Sequence, residues 1–308
     1  MNNRGIKIAF GVDDKYAKHC GATIASILSN HKIENNNYKI TFFLIGHLTN
    51  ENKRKFISLK KIQDFEIEFI EVNEEQFKDL PIFKTDDSKI VSLANYYRLL
   101  IPELLPTEIE KVIYLDCDII ANEDISKLWN ININNYLAGC VEIGQRYFNS
   151  GVMVLNLYEL RKFNFHDKWK EYVEKNIDKI ECYDQTILNA VIGHNILFLP
   201  TNWNLYYKNY NQVPYDKHKI DKYIEYNYII HYIESKPWNP LCQHPLKSLY
   251  IKYAKMTDWE ENLNFSFYTK SKSFAKIFLK YWAAHPLFLL NIKFWKAVKK
   301  RGLLLELY

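Results

Sequence analysis

With 308 residues, 48% of them hydrophobic, the chain can bury a sizeable core in one large domain or in a domain with an appended segment. Its five cysteines, Cys20, Cys117, Cys140, Cys182 and Cys242, are odd in number and show no CxxC spacing, which suits reduced, packed thiols better than a disulfide framework or zinc knuckle. The formal net charge of +5 is modest and is concentrated at the C-terminal end.

Met1 to Arg4 lead straight into a short alternating run at 6–10, too brief for a secretion signal, so the chain is expected on the cytosolic side. The pattern predicts a strand over 6–12, a helix over 17–29, a strand over 38–45, a helix over 50–62 and a strand over 65–72. Residues 92–105 carry apolar residues at helical spacing, and 112–115 form a fully apolar strand. Further strands are expected at 137–141, 151–157, 196–199 and 228–231, with helices at 165–175 and 186–192 and Asn-rich loops at 35–37 and 132–135. This alternation argues for an α/β fold, a mostly parallel sheet covered by helices.

Sheets of this kind bind ligands beyond the carboxyl ends of their strands. After the first strand the chain reads GVDDKY, residues 11–16, with no GxGxxG fingerprint, so a nicotinamide cofactor is not expected. Asp13 and Asp14 are read in two ways, as caps of the following helix or as acceptors for a base or ribose, with Tyr16 able to stack on a base.

The run VIYLDCDII, residues 112–120, ends a buried strand with two aspartates one residue apart. If the strand continues through them, Asp116 and Asp118 face one point while Cys117 points the other way. Two carboxylates so placed repel unless a cation lies between them, which points to a divalent-metal site serving phosphates. A second strand ends in IIHYIESKPW, residues 229–238, where His231 can add an imidazole to the same ion and Lys236 can neutralise a diphosphate. A mixed oxygen and imidazole set suits manganese.

These stretches together resemble glycosyltransferase family 8, whose members transfer sugars with retention of configuration. The resemblance covers most of the chain, in VDDKYA, SLANYYRLLIPELLP, KVIYLDCDII, YFNSGVMVLNL, YDQTILNAV, LPTNWN and HYIESKPW, in the family's order. It implies a GT-A, Rossmann-like mixed sheet flanked by helices over 1–258, with 259–308 a basic, aromatic helical extension. It also implies that Val12, Asp13, Asp14, Lys15, Tyr16, Ser92, Arg98, Cys117, Asn149 and Lys236 bind a UDP-sugar, Asp13 and Tyr16 at the uracil. Asp116, Asp118 and His231 would hold Mn2+, with Mg2+ a possible substitute, and Lys236 would stabilise the departing diphosphate. Arg98, Asp184 and Gln185 are the candidate catalytic residues; Gln185, a poor nucleophile, favours front-face attack over double displacement, and Glu142 is a candidate acceptor contact. UDP-galactose and UDP-glucose are the expected donors, and a lipid-linked lipopolysaccharide or lipooligosaccharide core is the expected acceptor.

The chain departs from the family pattern in three places. HYIESKPW lacks the glycine and one residue of the usual H-x-x-G-x-x-K-P-W; Lys15 stands where relatives often carry Asn; and the stretch from Glu142 to Tyr147 is short.

Residues 271–302 interleave lysines with Phe, Trp, Tyr and Leu and contain no acidic residue, while Lys276, Lys280 and Pro286 interrupt any bilayer-spanning run. They are expected to bind the anionic cytoplasmic face of the inner membrane as a peripheral anchor, or else to pack on the domain. No nucleic-acid-reading motif accompanies the charge. Two rival functions are a haloacid-dehalogenase-like phosphatase, which would place its DxD after the first strand, and a non-catalytic nucleotide-sugar-binding protein, which would tolerate loss of metal ligands.

Overall fold

The computed structural model describes residues 5–32, 39–78, 80–81, 92–206, 225–226, 228–233, 236–239, 242 and 244–259. The chain begins with β1 (Gly5–Gly11), α1 (Ala17–Asn30), β2 (Lys39–Ile45), α2 (Asn50–Ser58) and β3 (Glu66–Ile70). After a 3-10 stretch at Leu93–Leu100 come α3 (Ile101–Leu104), β4 (Lys111–Leu115), β5 (Ile119–Ala121) and α4 (Ser126–Trp129). Then follow β6 (Ala138–Gly144), β7 (Tyr147–Asn156), α5 (Leu157–Lys162), α6 (Phe165–Asn176) and α7 (Tyr183–Ile192). The last described elements are β8 (Ile196–Leu199), β9 (Leu205–Tyr206), β10 (Ile229–His231) and α8 (Lys247–Ala254).

The seven-stranded sheet has the order β3-β2-β1-β4-β7-β6-β8. All its strands run parallel except β7, which is antiparallel to both β4 and β6. The expected mostly parallel sheet is therefore a mixed one, reversed at a single strand, because the tight β6–β7 hairpin turns the chain back on itself.

Burial explains the unbroken apolar runs. Phe10, Phe42, Leu44, Ile113 and Leu115 enter one core cluster, while their strand neighbours Ala9, Phe43, Ile45, Val112 and Tyr114 enter another. Both faces of β1, β2 and β4 are thus covered, and the strand period of two divides them between the two layers. A second sheet, β5-β10-β9, lies beyond the end of β4.

Residues 92–105 are not one α-helix. The stretch winds as a 3-10 helix over Leu93–Leu100 before α3, and at its end Pro102 has no N–H to offer the Arg98 carbonyl, which accepts the Ile101 N–H instead. Trp259, the first residue of the expected extension, is buried against α1 and donates its ring N–H to Asn52 Oδ1 at 2.9 Å. Residues 260–308 lie outside the described residues.

Candidate active site

The strand order turns about β1, which has β2 on one side and β4 on the other. The crevice beyond their carboxyl ends is where a doubly wound sheet presents loops to a ligand. A cleft of about 280 Å3 opens there, lined among others by Asn95, Arg98, Asp116, Asp118, Asn149 and Ser150. Asp184, Gln185, His231 and Lys236 complete its polar wall.

The aspartate pair converges by a route different from the expected one. β4 ends at Leu115, so Asp116 to Asp118 form the turn into β5 rather than a continuation of the strand. β10 runs antiparallel to β5 with His231 opposite Ile119, and the Tyr232 N–H donates to the Asp118 carbonyl at 3.0 Å. This register sets His231 Nε2 at 3.1 Å from Asp118 Oδ1 and 3.6 Å from Asp116 Oδ2. Ligand atoms of the three residues lie within 4.8 Å of one another, a spacing one divalent cation can bridge. Gly151 makes the room: a Cβ there would stand 2.2 Å from His231 Cε1 and 2.6 Å from Asp116 Oδ2. Two carboxylates, one imidazole and a glycine cradle fit a divalent cation.

Arg98 sits behind the cluster, 4% exposed. It pairs with Asp116 Oδ1 at 2.8 Å through Nη2 and with Asp184 Oδ2 at 3.1 Å through Nε, donates to the Ser150 carbonyl at 2.8 Å, and lies 4.4 Å over the Tyr114 ring. Burial pushes the Asp184 carboxyl up to about 6 despite that arginine. Burial would also raise Asp118, but Lys236 and His231 beside it hold its carboxyl well below the usual carboxylate range. Lys236 is paired with Asp118 and donates to the Tyr232 carbonyl at 2.7 Å.

The remaining expected contacts separate into two groups. Asn149 donates to Gln185 Oε1 at 2.9 Å on the cleft wall. Tyr16, 38% exposed, meets Trp238 edge-on at 5.8 Å, and burial together with the nearby Asp118 charge raises its hydroxyl to about 12. Asp13 Oδ1 accepts the Tyr16 N–H at 2.9 Å and so caps the turn into α1. Asp14, Val12, Ser92 and Cys117 make contacts within the protein, whereas Lys15 and Glu142 are exposed. Asp14 accepts from the Thr49 N–H and from Asn52 Nδ2, both at 2.8 Å, tying the β1 loop to the start of α2. Val12 is buried and bonds Ile45, Lys15 is exposed, and Ser92 caps the 3-10 stretch through the Ala94 N–H. The Cys117 sulfur turns to the Gly11 carbonyl at 3.4 Å in the core. Glu142 is exposed at the β6–β7 hairpin and accepts the Arg146 N–H at 2.7 Å.

Sequence reasoning did not single out Ser150, Gly151 or Asn204. Gly151 carried a signal, since a glycine inside an otherwise apolar strand marks close approach of another group. Asn204 carried none, because its partner His231 is distant in the chain and is reached only through the pairing of β9 with β10.

The seven-stranded sheet and its flanking helices are the GT-A fold of glycosyltransferases. Galactosyltransferase LgtC, solved in complex with donor and acceptor sugar analogs, matches with a TM-score of 0.70 at 22% identity, covering 83% of this chain and 100% of that one. The family model for glycosyl transferase family 8 matches residues 7–242, and the chain belongs to that family. General stress protein A of Bacillus subtilis (strain 168) is 30% identical over 271 residues, 80% of this chain and 92% of the relative. Lipopolysaccharide 1,2-glucosyltransferase of Escherichia coli (strain K12) is 25% identical over 278 residues, 83% of this chain and 80% of the relative.

Proposed function

We propose that the protein moves galactose or glucose from a UDP-sugar to a saccharide acceptor, with retention at the anomeric carbon. The carrying observation is the convergence of Asp116, Asp118 and His231 beside Lys236 in one cleft. A divalent cation, Mn2+ first and Mg2+ as substitute, would be held by those three residues and would offset the negative charge that develops on the UDP leaving group. Lys236 neutralises the same diphosphate from the β10 side, and Tyr16 stacks on the uracil while Asp13 accepts from it. Arg98 keeps Asp116 oriented and meets the donor sugar region.

Asp184 and Gln185 line the transferred sugar with Asn149. The Asp184 carboxylate is held by Arg98 and by Ser150 Oγ at 2.9 Å, and Gln185 Oε1 accepts from Asn149 and from the Ser150 N–H. Groups engaged in this way are poor nucleophiles, which supports front-face attack by the acceptor hydroxyl over a covalent intermediate.

The short β6–β7 hairpin leaves the acceptor side open, with Glu142 as the acceptor contact. The acceptor read as most consistent with the lipopolysaccharide glycosyltransferase relatives is a lipid-linked lipopolysaccharide or lipooligosaccharide core. Among the described residues no helix is long and apolar enough to cross a membrane. The basic, aromatic sequence over 271–302 supports peripheral attachment to the cytoplasmic face of the inner membrane.

Hydrolysis of a panel of UDP-sugars, with and without Mn2+, tests this reading. Slow Mn2+-dependent release of UDP from one hexose donor, lost in Asp118→Asn, is the expected result. Turnover of a phosphomonoester with no UDP-sugar hydrolysed or bound would overturn it in favour of a phosphatase.

A further inference from the structure

Asn204 is a polar side chain, 1% exposed, that the transfer reading leaves unused. It follows the 3-10 turn Thr201–Trp203, and the parallel pairing of Leu205 with Ile230 and Tyr206 with His231 brings it beside the imidazole. Its Nδ2 donates to Asn149 Oδ1 at 2.7 Å, and its Oδ1 lies 3.0 Å from His231 Nδ1.

Two main-chain donors fix the direction of this chain of amides, because a backbone N–H cannot be turned round. The Gly151 N–H donates to Asn149 Oδ1 at 3.0 Å, and the Ser150 N–H donates to Gln185 Oε1 at 3.2 Å. Asn149 therefore presents its oxygen to Asn204 and its amide nitrogen to Gln185. Asn204 must then present its NH2 to Asn149 and its oxygen to His231. An amide oxygen only accepts, so the proton it faces belongs on Nδ1. Nε2 is then the ring nitrogen that faces Asp116 and Asp118.

We propose that Asn204 is a positioning residue that fixes His231 in the Nδ1–H tautomer, so that Nε2 is available to a divalent cation. The same amide ties that ligand to Asn149 and Gln185 on the sugar side of the cleft. The inference rests on the reading of Asp116, Asp118 and His231 as the cation site, and outer partners of this kind shift metal affinity by about 10- to 100-fold.

The direct test is a long-range proton–nitrogen NMR correlation on the full chain in chelator, labelled at histidine nitrogens. The His231 signal is assigned by its loss in His231→Gln. A proton on Nδ1 is expected; a bare Nδ1 with the proton on Nε2 alone overturns the proposal without any change to Asn204. Mn2+ binding followed by electron paramagnetic resonance supplies the second test. Asn204→Ala should bind Mn2+ about 10- to 100-fold more weakly, whereas Asn204→Asp, which still accepts from Nδ1–H, should recover most of the affinity. Asn204→Asp should nonetheless stay slow in hydrolysing UDP-galactose and UDP-glucose, because it no longer donates to Asn149. Wild-type affinity in the folded Asn204→Ala protein, or no recovery in Asn204→Asp, overturns the proposal. Absence of Mn2+ binding by the wild type would instead remove the cation-site reading, and the NMR measurement then decides the tautomer alone.

Discussion

Gly151 stands where β7 passes closest to the carboxylates and the imidazole, and there its missing side chain is what matters. A methyl group at Gly151 would overlap the His231 ring at 2.2 Å, so one of the ligands must move. Gly151→Ala is expected to lower Mn2+ affinity by about 100-fold, the scale of a displaced ligand shell, while the far-ultraviolet circular dichroism stays native. Unchanged affinity would show that the imidazole is not a ligand. The buried histidines make a second residue-scale prediction. His19 stacks on Trp238 at 3.5 Å and meets the Tyr250 hydroxyl at 2.7 Å, and burial with the Lys18 charge lowers its value to about 3. Burial lowers His244 to about 4. The unfolded chain takes up protons as pH falls through about 6.5, whereas these folded sites do not. The stability they contribute is full above that value and is lost as pH falls toward the folded values. Each should cost about 1–2 kcal/mol by pH 5, read as a falling thermal midpoint, and His19→Gln should make the slope shallower.

At the scale of elements, the site depends on a connection whose role no periodicity announces. Arg161 of α5 donates to the carbonyls of Pro102, Leu105, Pro106, Thr107 and Ile109, at 2.8 to 3.1 Å, and so holds the loop that leads into β4. Arg161→Met removes every one of these donors, and unfolding in denaturant should show a loss of about 2–3 kcal/mol. A loss below about 0.5 kcal/mol, the range of ordinary surface changes, would mean the loop holds itself. The legibility of the chain divides along the same line. The expected strands ending at Ile45 and Leu115 were readable because apolar runs buried on both faces leave a local pattern. The convergence of the aspartate pair was readable, although the turn, not the strand pleat, produces it. β5 and β9, of three and two residues, were not readable: their existence depends on β10 arriving from about a hundred residues away in the case of β5. The 3-10 winding over Leu93–Leu100 hid behind an amphipathic helical spacing.

At the scale of the whole molecule, one covered sheet carries the nucleotide-sugar side of the cleft at its strand ends, and the positive charge lies in sequence beyond it. The contrast predicts that the full chain binds vesicles containing anionic lipid and leaves neutral ones unbound in a flotation assay. Replacing Lys296, Lys299 and Lys300 with Gln should weaken that binding, each charge contributing about 1 kcal/mol near the surface, and leave UDP-sugar hydrolysis unchanged. Equal binding to neutral vesicles would remove the electrostatic part of the reading.

The proposed transfer stands or falls with Asp116, Asp118 and His231 together holding the cation that meets the UDP diphosphate. Anomalous diffraction at the manganese edge, from crystals of the full chain grown with Mn2+ and UDP, addresses it in one experiment. One strong peak is expected within about 2.5 Å of an oxygen of each aspartate, of His231 Nε2 and of both phosphates. UDP bound in the cleft with no peak among those three residues, or with the peak elsewhere, would contradict it.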